Sequence, residues 1–199
     1  MFTGIIKDMG EVVSVGEGLG GGRRLRIRTG FDLSKTDIGA SMACDGCCLT
    51  IVEKTNSEFT VDVSNETLSK TTIPEWKEGT RINLEQSMRY GDEIGGHIVS
   101  GHVDGLAILE SLKPDGDCWR LGIRIPDRFA MYIASKGSVA LNGVSLTINE
   151  VEGNYFGVCI IPHTWAVTGL NHAKEGQRLN LEVDMMARYA MRLSGQETA

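Results

Sequence analysis

The sequence predicts a mainly β protein: two tandem copies of one small closed barrel, followed by a C-terminal helix. Three observations carry this. A shift of 97 superposes residues 36–85 on 133–182 with 18 identities in 50 ungapped positions, where chance gives about three. Short runs in both copies alternate apolar and polar residues, the mark of strands with one buried face. Around Asp184 that alternation gives way to apolar residues three and four apart, the period of an amphipathic helix.

The elements follow in chain order. Gly16, Gly18 and Gly21 satisfy a G-x-G-x-x-G pattern, but the run leads into Arg24-Leu-Arg-Ile-Arg28, which alternates as a strand. A dinucleotide fingerprint must open a helix, so these glycines read as a hairpin loop. Glu58-Phe-Thr-Val-Asp-Val-Ser64 and Arg81-Ile-Asn-Leu-Glu85 are further strands. Asp45-Gly46 and Asn142-Gly143 occupy matched positions between apolar runs, and both suit type I′ hairpin turns, whose central residues need positive φ. In the second copy a helix is expected from about Pro126-Asp127, carrying Phe129, Met131, Tyr132 and Ile133. Tyr155-Phe-Gly-Val-Cys-Ile160 and Arg178-Leu-Asn-Leu-Glu-Val-Asp184 repeat the strands. Closure of several short strands into a barrel removes exposed edges. In the tail, Met185, Met186, Tyr189 and Leu193 form the apolar stripe, with Arg188 and Arg192 between them. That helix reads equally as a cap on a barrel or as an oligomer contact.

Composition narrows the function. The 199 residues suffice for two domains of about 100, each large enough to fold without a metal or disulfide staple. Twenty basic against 26 acidic side chains give a net charge of -6, which argues against a general nucleic-acid binder. No apolar run approaches the length of a membrane-spanning helix, and no secretory signal is read at the start. Five cysteines, an odd number, fit reduced thiols in a cytoplasmic protein. Cys44 and Cys47 form a C-x-x-C that His97 and His102 could complete as a zinc set. The other copy builds the same turn with Leu141 and Val144, however, so no metal is expected. Gly95-Gly-His-Ile-Val-Ser-Gly-His102 admits two readings, a flexible connection or a close backbone approach to a ligand.

Several motifs, in order, resemble one family. Met1-Phe-Thr-Gly-Ile5 opens the chain. Gly46-Cys-Cys-Leu-Thr50 and Gly143-Val-Ser-Leu-Thr147 are a pair. Gly95 to His102 begins the second copy, and Ile161-Pro-His-Thr164 follows its last alternating run but one. From Met1 to about Asp184 the chain is similar to the riboflavin synthases of the alpha-chain type. The resemblance implies two six-stranded Greek-key barrels, residues 1–97 and 98–185, and a helix and tail at 186–199 that holds a homotrimer. It implies that each barrel binds one 6,7-dimethyl-8-ribityllumazine. A four-carbon unit then passes between the two molecules, giving riboflavin and 5-amino-6-(ribitylamino)uracil, the last step of riboflavin biosynthesis. No metal or redox cofactor is implied, and no nucleic acid or membrane partner. The site is expected between the first barrel of one subunit and the second barrel of a neighbour.

Residue roles come from the same resemblance. It assigns Gly4, Ile5, Ile6, Cys48, Leu49, Thr50, Asp62, Val63, Ser64, Asn65, Glu66 and Thr67 to the first barrel's pocket. The second pocket receives Gly101, His102, Val103, Ser145, Leu146, Thr147, Cys159, Ile160, Ile161, Pro162, His163 and Thr164, with Lys136. Phe2 is expected to shield one ring, with Ser41 and Asp184 in indirect support. Cys48 and His102 are expected to assist proton transfer or addition at C7 of the lumazine, and Ser145 and Thr147 to orient the second molecule. The physics agrees: donor and acceptor are the same compound, so two similar pockets are needed, and a duplicated domain supplies them. Holding two rings face to face is worth about 7–11 kcal/mol of barrier, and a proton-transfer group about 10²–10⁴-fold. The alternative is a non-catalytic lumazine- or flavin-binding protein on the same fold. The presence of Cys48, His102, Ser145 and Thr147 together favours the enzyme. A flavin oxidoreductase would need a βαβ nicotinamide domain, and no such pattern remains.

Overall fold

The computed structural model describes residues 1–195; residues 196–199, the end of the expected tail, lie outside the described residues. The first barrel comprises β1 (Asp8–Glu17), β2 (Arg23–Arg28), β3 (Ser41–Cys44), β4 (Cys47–Lys54), β5 (Glu58–Val63) and β6 (Arg81–Gln86). It closes in the order β1-β2-β5-β4-β3-β6. The second comprises β7 (Gly105–Asp115), β8 (Cys118–Arg124), β9 (Ser138–Leu141), β10 (Val144–Glu152), β11 (Tyr155–Ile160) and β12 (Arg178–Val183). Its circuit, β7-β8-β11-β10-β9-β12, is the same one six strands on. Every pairing is antiparallel and the order is a Greek key.

The alternation does what it predicts. Leu25 and Ile27 of β2 are buried while Arg24, Arg26 and Arg28 face outward. Phe59, Val61 and Val63 fill the first core, and Phe156, Val158 and Ile160 fill the same places in the second. The glycine loop after β1 is a hairpin connection, tied down by Asn65 Nδ2 donating to the Gly20 carbonyl at 2.8 Å. The expected helix after Pro126 is a 3-10 turn, Asp127–Tyr132, that buries Phe129. Among the described residues three α-helices complete the fold: α1 (Asn65–Lys70), α2 (Pro162–Val167) and α3 (Met185–Ser194). Ser64 caps α1, its Oγ accepting from Thr67 N at 3.2 Å, and Pro162 opens α2.

Both hairpin tips are type I′, with φ of 43° and 78° at Asp45 and Gly46, and 46° and 78° at Asn142 and Gly143. The tips meet back to back. A Cβ on Gly46 would stand 2.5 Å from Gly143 N, and one on Gly143 would stand 2.7 Å from Gly46 N. Only glycine fits either place. Around the joint, Asn83 N donates to Asp45 Oδ1 (2.8 Å) and Asn180 N to Asn142 Oδ1 (2.7 Å). Across it, Asn83 Nδ2 donates to the Asn142 carbonyl and Asn180 Nδ2 to the Asp45 carbonyl, both at 2.9 Å. The Asn-Leu-Glu shared by the two copies is therefore the joint between barrels as well as a strand.

Candidate active site

Two short arms cross between the barrels, and they build the site. Phe2 and Val99 form an antiparallel bridge, with N···O distances of 2.7 and 3.0 Å. Past it, each arm runs to the opposite barrel. The Gly4 carbonyl accepts from Ser145 N, and the Gly101 carbonyl accepts from Cys48 N, both at 2.8 Å. Ile6 joins the core of the second barrel, and Val103 packs against the core of the first. The family resemblance groups Gly4, Ile5 and Ile6 with Cys48, and Gly101, His102 and Val103 with Ser145. The structure corrects this: the arms are exchanged, because each must pair across the bridge before it meets a strand end.

A buried carboxylate holds each arm. Glu85 accepts from Thr3 N and Oγ1 (2.7 Å each) and from Gly4 N (3.0 Å). Glu182 accepts from Ser100 N (2.6 Å), Ser100 Oγ (2.7 Å) and Gly101 N (2.9 Å). Burial raises the Glu182 carboxyl above the usual range, partly offset by these three donors. Each glutamate ends the Asn-Leu-Glu motif, so a buried acid at matched strand positions is the signal that sequence reading left unused.

The first pocket is a cavity of about 210 Å³ lined by Cys47, Cys48, Glu66, Thr67, Lys70, Thr71, Gly101, His102 and Val103. It brings together Cys48, His102 and the start of α1. Thr50 stands exposed on β4, two residues from Cys48 on the same face. Asp62 faces out of β5 toward Arg24, 3.6 Å away, and its Oδ1 has no hydrogen-bond partner. Cys44 and Cys47 close the β3–β4 hairpin opposite one another. Burial pushes the Cys44 thiol well up and Cys47 to about 12, so neither is a thiolate at neutral pH.

In the second barrel Ser145 takes the place of Cys48, and Thr147 is exposed two residues along β10. His97 enters here: its Nδ1 lies 2.7 Å from Ser145 Oγ, while its Nε2 is buried without a partner. Burial lowers the imidazole's pKa against the opposing pull of Asp184, which keeps the ring neutral at neutral pH. Asp184 itself caps α3, its Oδ1 accepting from Met186 N at 2.8 Å. Cys159 on β11 is the counterpart of Asp62, and Pro162, His163 and Thr164 form the first turn of α2. Lys136 lies in a left-handed turn (φ 66°), its amide bonding the Ile148 carbonyl as Gly39 does Ile51.

Two expected residues stand apart. Ser41 lines a separate cavity of about 190 Å³ with Lys35, Thr36, Ser87 and Arg89. Phe2 has no exposed surface and packs with Ala43, Val99 and Ala140 behind Cys48. A ring so enclosed does not stack on a ligand, so its expected shielding role gives way to support of the arm crossing. Phe2→Ala is expected to destabilise the protein by about 3–5 kcal/mol, read as a fall in urea midpoint; an unchanged midpoint would contradict this packing role.

Comparisons with known proteins fit this geometry. The lumazine binding domain matches twice, over residues 3–87 and 100–184. The riboflavin synthase of Brucella abortus (strain 2308) is 48% identical over 199 residues, covering 98% of each chain. The chain belongs to the riboflavin synthase family. Its Photobacterium phosphoreum member is 41% identical, covering 97% of this chain and 88% of that one. The Mycobacterium tuberculosis H37Rv member is 39% identical, covering 97% and 98%. Among solved structures, LumP complexed with riboflavin is similar at a TM-score of 0.82 and 25% identity, covering 92% of this chain and 99% of that chain. LumP complexed with 6,7-dimethyl-8-(1'-D-ribityl) lumazine shares the fold at a TM-score of 0.80. No helix among the described residues is long and apolar enough to cross a membrane.

Proposed function

We propose that this chain is a riboflavin synthase, a transferase that dismutates two molecules of 6,7-dimethyl-8-ribityllumazine into riboflavin and 5-amino-6-(ribitylamino)uracil. The observation that carries the reading is the pair of matched arm-to-strand contacts, Cys48 with Gly101 and Ser145 with Gly4, on barrels of one topology. Two like pockets suit two like substrates, and their different side chains suit different roles. In the first, the Cys48 thiol and the His102 imidazole lie where a proton is moved or a group is added at C7. In the second, Ser145 and Thr147 offer hydroxyls to orient a partner molecule. The substrate-binding set includes Gly4, Ile5, Ile6, Leu49, Thr50, residues 62–67, Gly101, Val103, Lys136, Leu146 and residues 159–164, with Ser41 and Asp184 at its margin. The two units are residues 1–97 and 98–185, with 186–199 as the assembly segment.

The reacting rings must meet, so we place the site between the first barrel of one subunit and the second barrel of another, in a homotrimer. The exposed face of α3 supports assembly there: Met186, Tyr189 and Leu193 are 73%, 59% and 87% exposed, and Arg188 fixes the helix to Asp104 at 2.7 and 2.9 Å. Reduced cysteines support a cytoplasmic setting.

The test is incubation with the lumazine. One riboflavin is expected to appear, by yellow absorbance and green fluorescence, for every two lumazines lost. A stoichiometric spectral shift without turnover would mean a binding protein instead. Cys48→Ala is expected to lower kcat by about 10²-fold while lumazine affinity stays within a few-fold; unchanged kcat would remove the thiol from the chemistry.

A further inference from the structure

The two pockets differ in one respect that the duplication does not explain. Within the segment joining the matched units, Gly95, Gly96 and His97 lie against the Ser145 side. Gly96 presses on the Ser145 pocket: a Cβ there would stand 2.2 Å from the Thr3 carbonyl oxygen and 2.7 Å from both Ser145 Cβ and Oγ. Gly95 lies over Ile5, and a Cβ there would be 3.3 Å from its Cγ1. His97 then bonds twice, N to the Thr3 carbonyl (3.2 Å) and Nδ1 to Ser145 Oγ (2.7 Å). No residue of this segment lines the Cys48 cavity.

The segment is lightly held. Its near end is a self-closed turn, Asp92 N to the Arg89 carbonyl (3.1 Å) and Arg89 N to Asp92 Oδ2 (2.7 Å). Residues 93–96 make no backbone hydrogen bond among the described residues, and all four are exposed. Beneath them is a cavity of about 310 Å³ lined by Thr3, Ile5, Lys7, Asp92, Glu93 and Gly95. A segment with solvent-facing backbone, few bonds and space below it belongs to the parts of a fold that open most easily.

We propose that residues 89–97 close the Ser145 pocket and that the His97–Ser145 hydrogen bond is the latch. The Cys48 pocket then fills first, and the Ser145 pocket fills only once the latch releases. A ligand hydroxyl that takes over Ser145 Oγ replaces His97 there, so occupancy and release are one event. The two molecules are thereby given an order that matched pockets alone would not impose. This inference rests on reading both pockets as lumazine sites.

Riboflavin is the probe, titrated by calorimetry into the full-length protein. The wild type is expected to show two classes of site per chain, at least tenfold apart. His97→Ala removes the latch and is expected to bring the weak site to within about threefold of the tight one. His97→Gln keeps a hydrogen-bonding group for Ser145 Oγ and is expected to retain the wild-type separation. Two equal sites in the wild type, a weak site that His97→Ala leaves unchanged or weakens, or a His97→Gln that behaves like His97→Ala would each overturn the latch. Absence of any riboflavin binding would instead remove the proposed function, and the latch with it. Should His97→Ala fail to fold, amide exchange decides on the wild type: exchange across residues 89–97 is expected to rise at saturating riboflavin, and an unchanged or slower rate overturns the proposal.

Discussion

Glu182→Ala is expected to abolish tight ligand binding at the Cys48 pocket, although Glu182 belongs to the other barrel. The substitution orphans Ser100 N, Ser100 Oγ and Gly101 N at once. A buried donor left without a partner costs about 1–3 kcal/mol. Relief of the carboxylate's own burial offsets part of that sum. A net loss of about 3 kcal/mol remains, a fall of about 6–12 °C in Tm for a chain of this size. The arm that Glu182 anchors carries the Gly101 carbonyl to Cys48 N and brings Val103 to the first core, so the pocket loses a wall. Glu85→Ala performs the mirror experiment, loosening Gly4 from Ser145 and weakening the second pocket. Thermal melts and riboflavin titration of the two variants check the crossing. Damage confined to the barrel that carries the substitution would refute the exchanged arms.

Asp45→Asn is expected to stabilise the protein strongly above neutral pH. Asp45 sits at the inter-barrel joint, 8% exposed, and burial raises its carboxyl from 3.8 to about 7, against the pull of the Asn83 N–H. A carboxyl whose folded pKa lies above its unfolded one favours folding in its protonated form. Its stabilising protonated state is therefore fully present below about pH 3.8 and is lost as pH rises through about 7. At 1.36 kcal/mol per pH unit, ionisation destabilises the fold by about 4 kcal/mol at most. The other hairpin already carries Asn142, whose Oδ1 takes the equivalent bond from Asn180 N, so the amide fits. The variant should match the wild type near pH 4 and exceed its Tm by about 10 °C at pH 8. Denaturation midpoints across that range are the measurement, and parallel curves for both proteins would mean that Asp45 does not titrate in this window.

Much of the fold was legible in the sequence because duplication and alternation are both local records. Phe59 and Phe156, or Leu25 and Ile27, declare their inward faces by period alone. Asp45-Gly46 and Asn142-Gly143 declare their turns, since few other dipeptides take positive φ twice in succession. The site was legible only in part. Cys48 and Ser145 fall on matched strands, and Thr67 and Thr164 on matched helices, as the 97-residue shift pairs them. Which arm meets which strand was not legible, because a shift in sequence carries no information about which barrel an arm reaches. His97 was visible as one of two histidines among glycines and as a candidate zinc ligand that the other copy's turn argued against. Nothing in its spacing points to Ser145, 48 residues away.

By itself, then, the order of amino acids determined two like barrels, their turn tips, an amphipathic tail and a pair of matched motifs. These depend on each residue's neighbours along the chain. Tertiary structure alone decided that the arms cross, that Glu85 and Glu182 hold them, that Phe2 is walled in, and that His97 of the linker meets Ser145. Those features depend on which buried donors find which acceptors across the joint. Such pairing is settled by the need to satisfy every buried polar group in three dimensions, a constraint with no period to betray it in one.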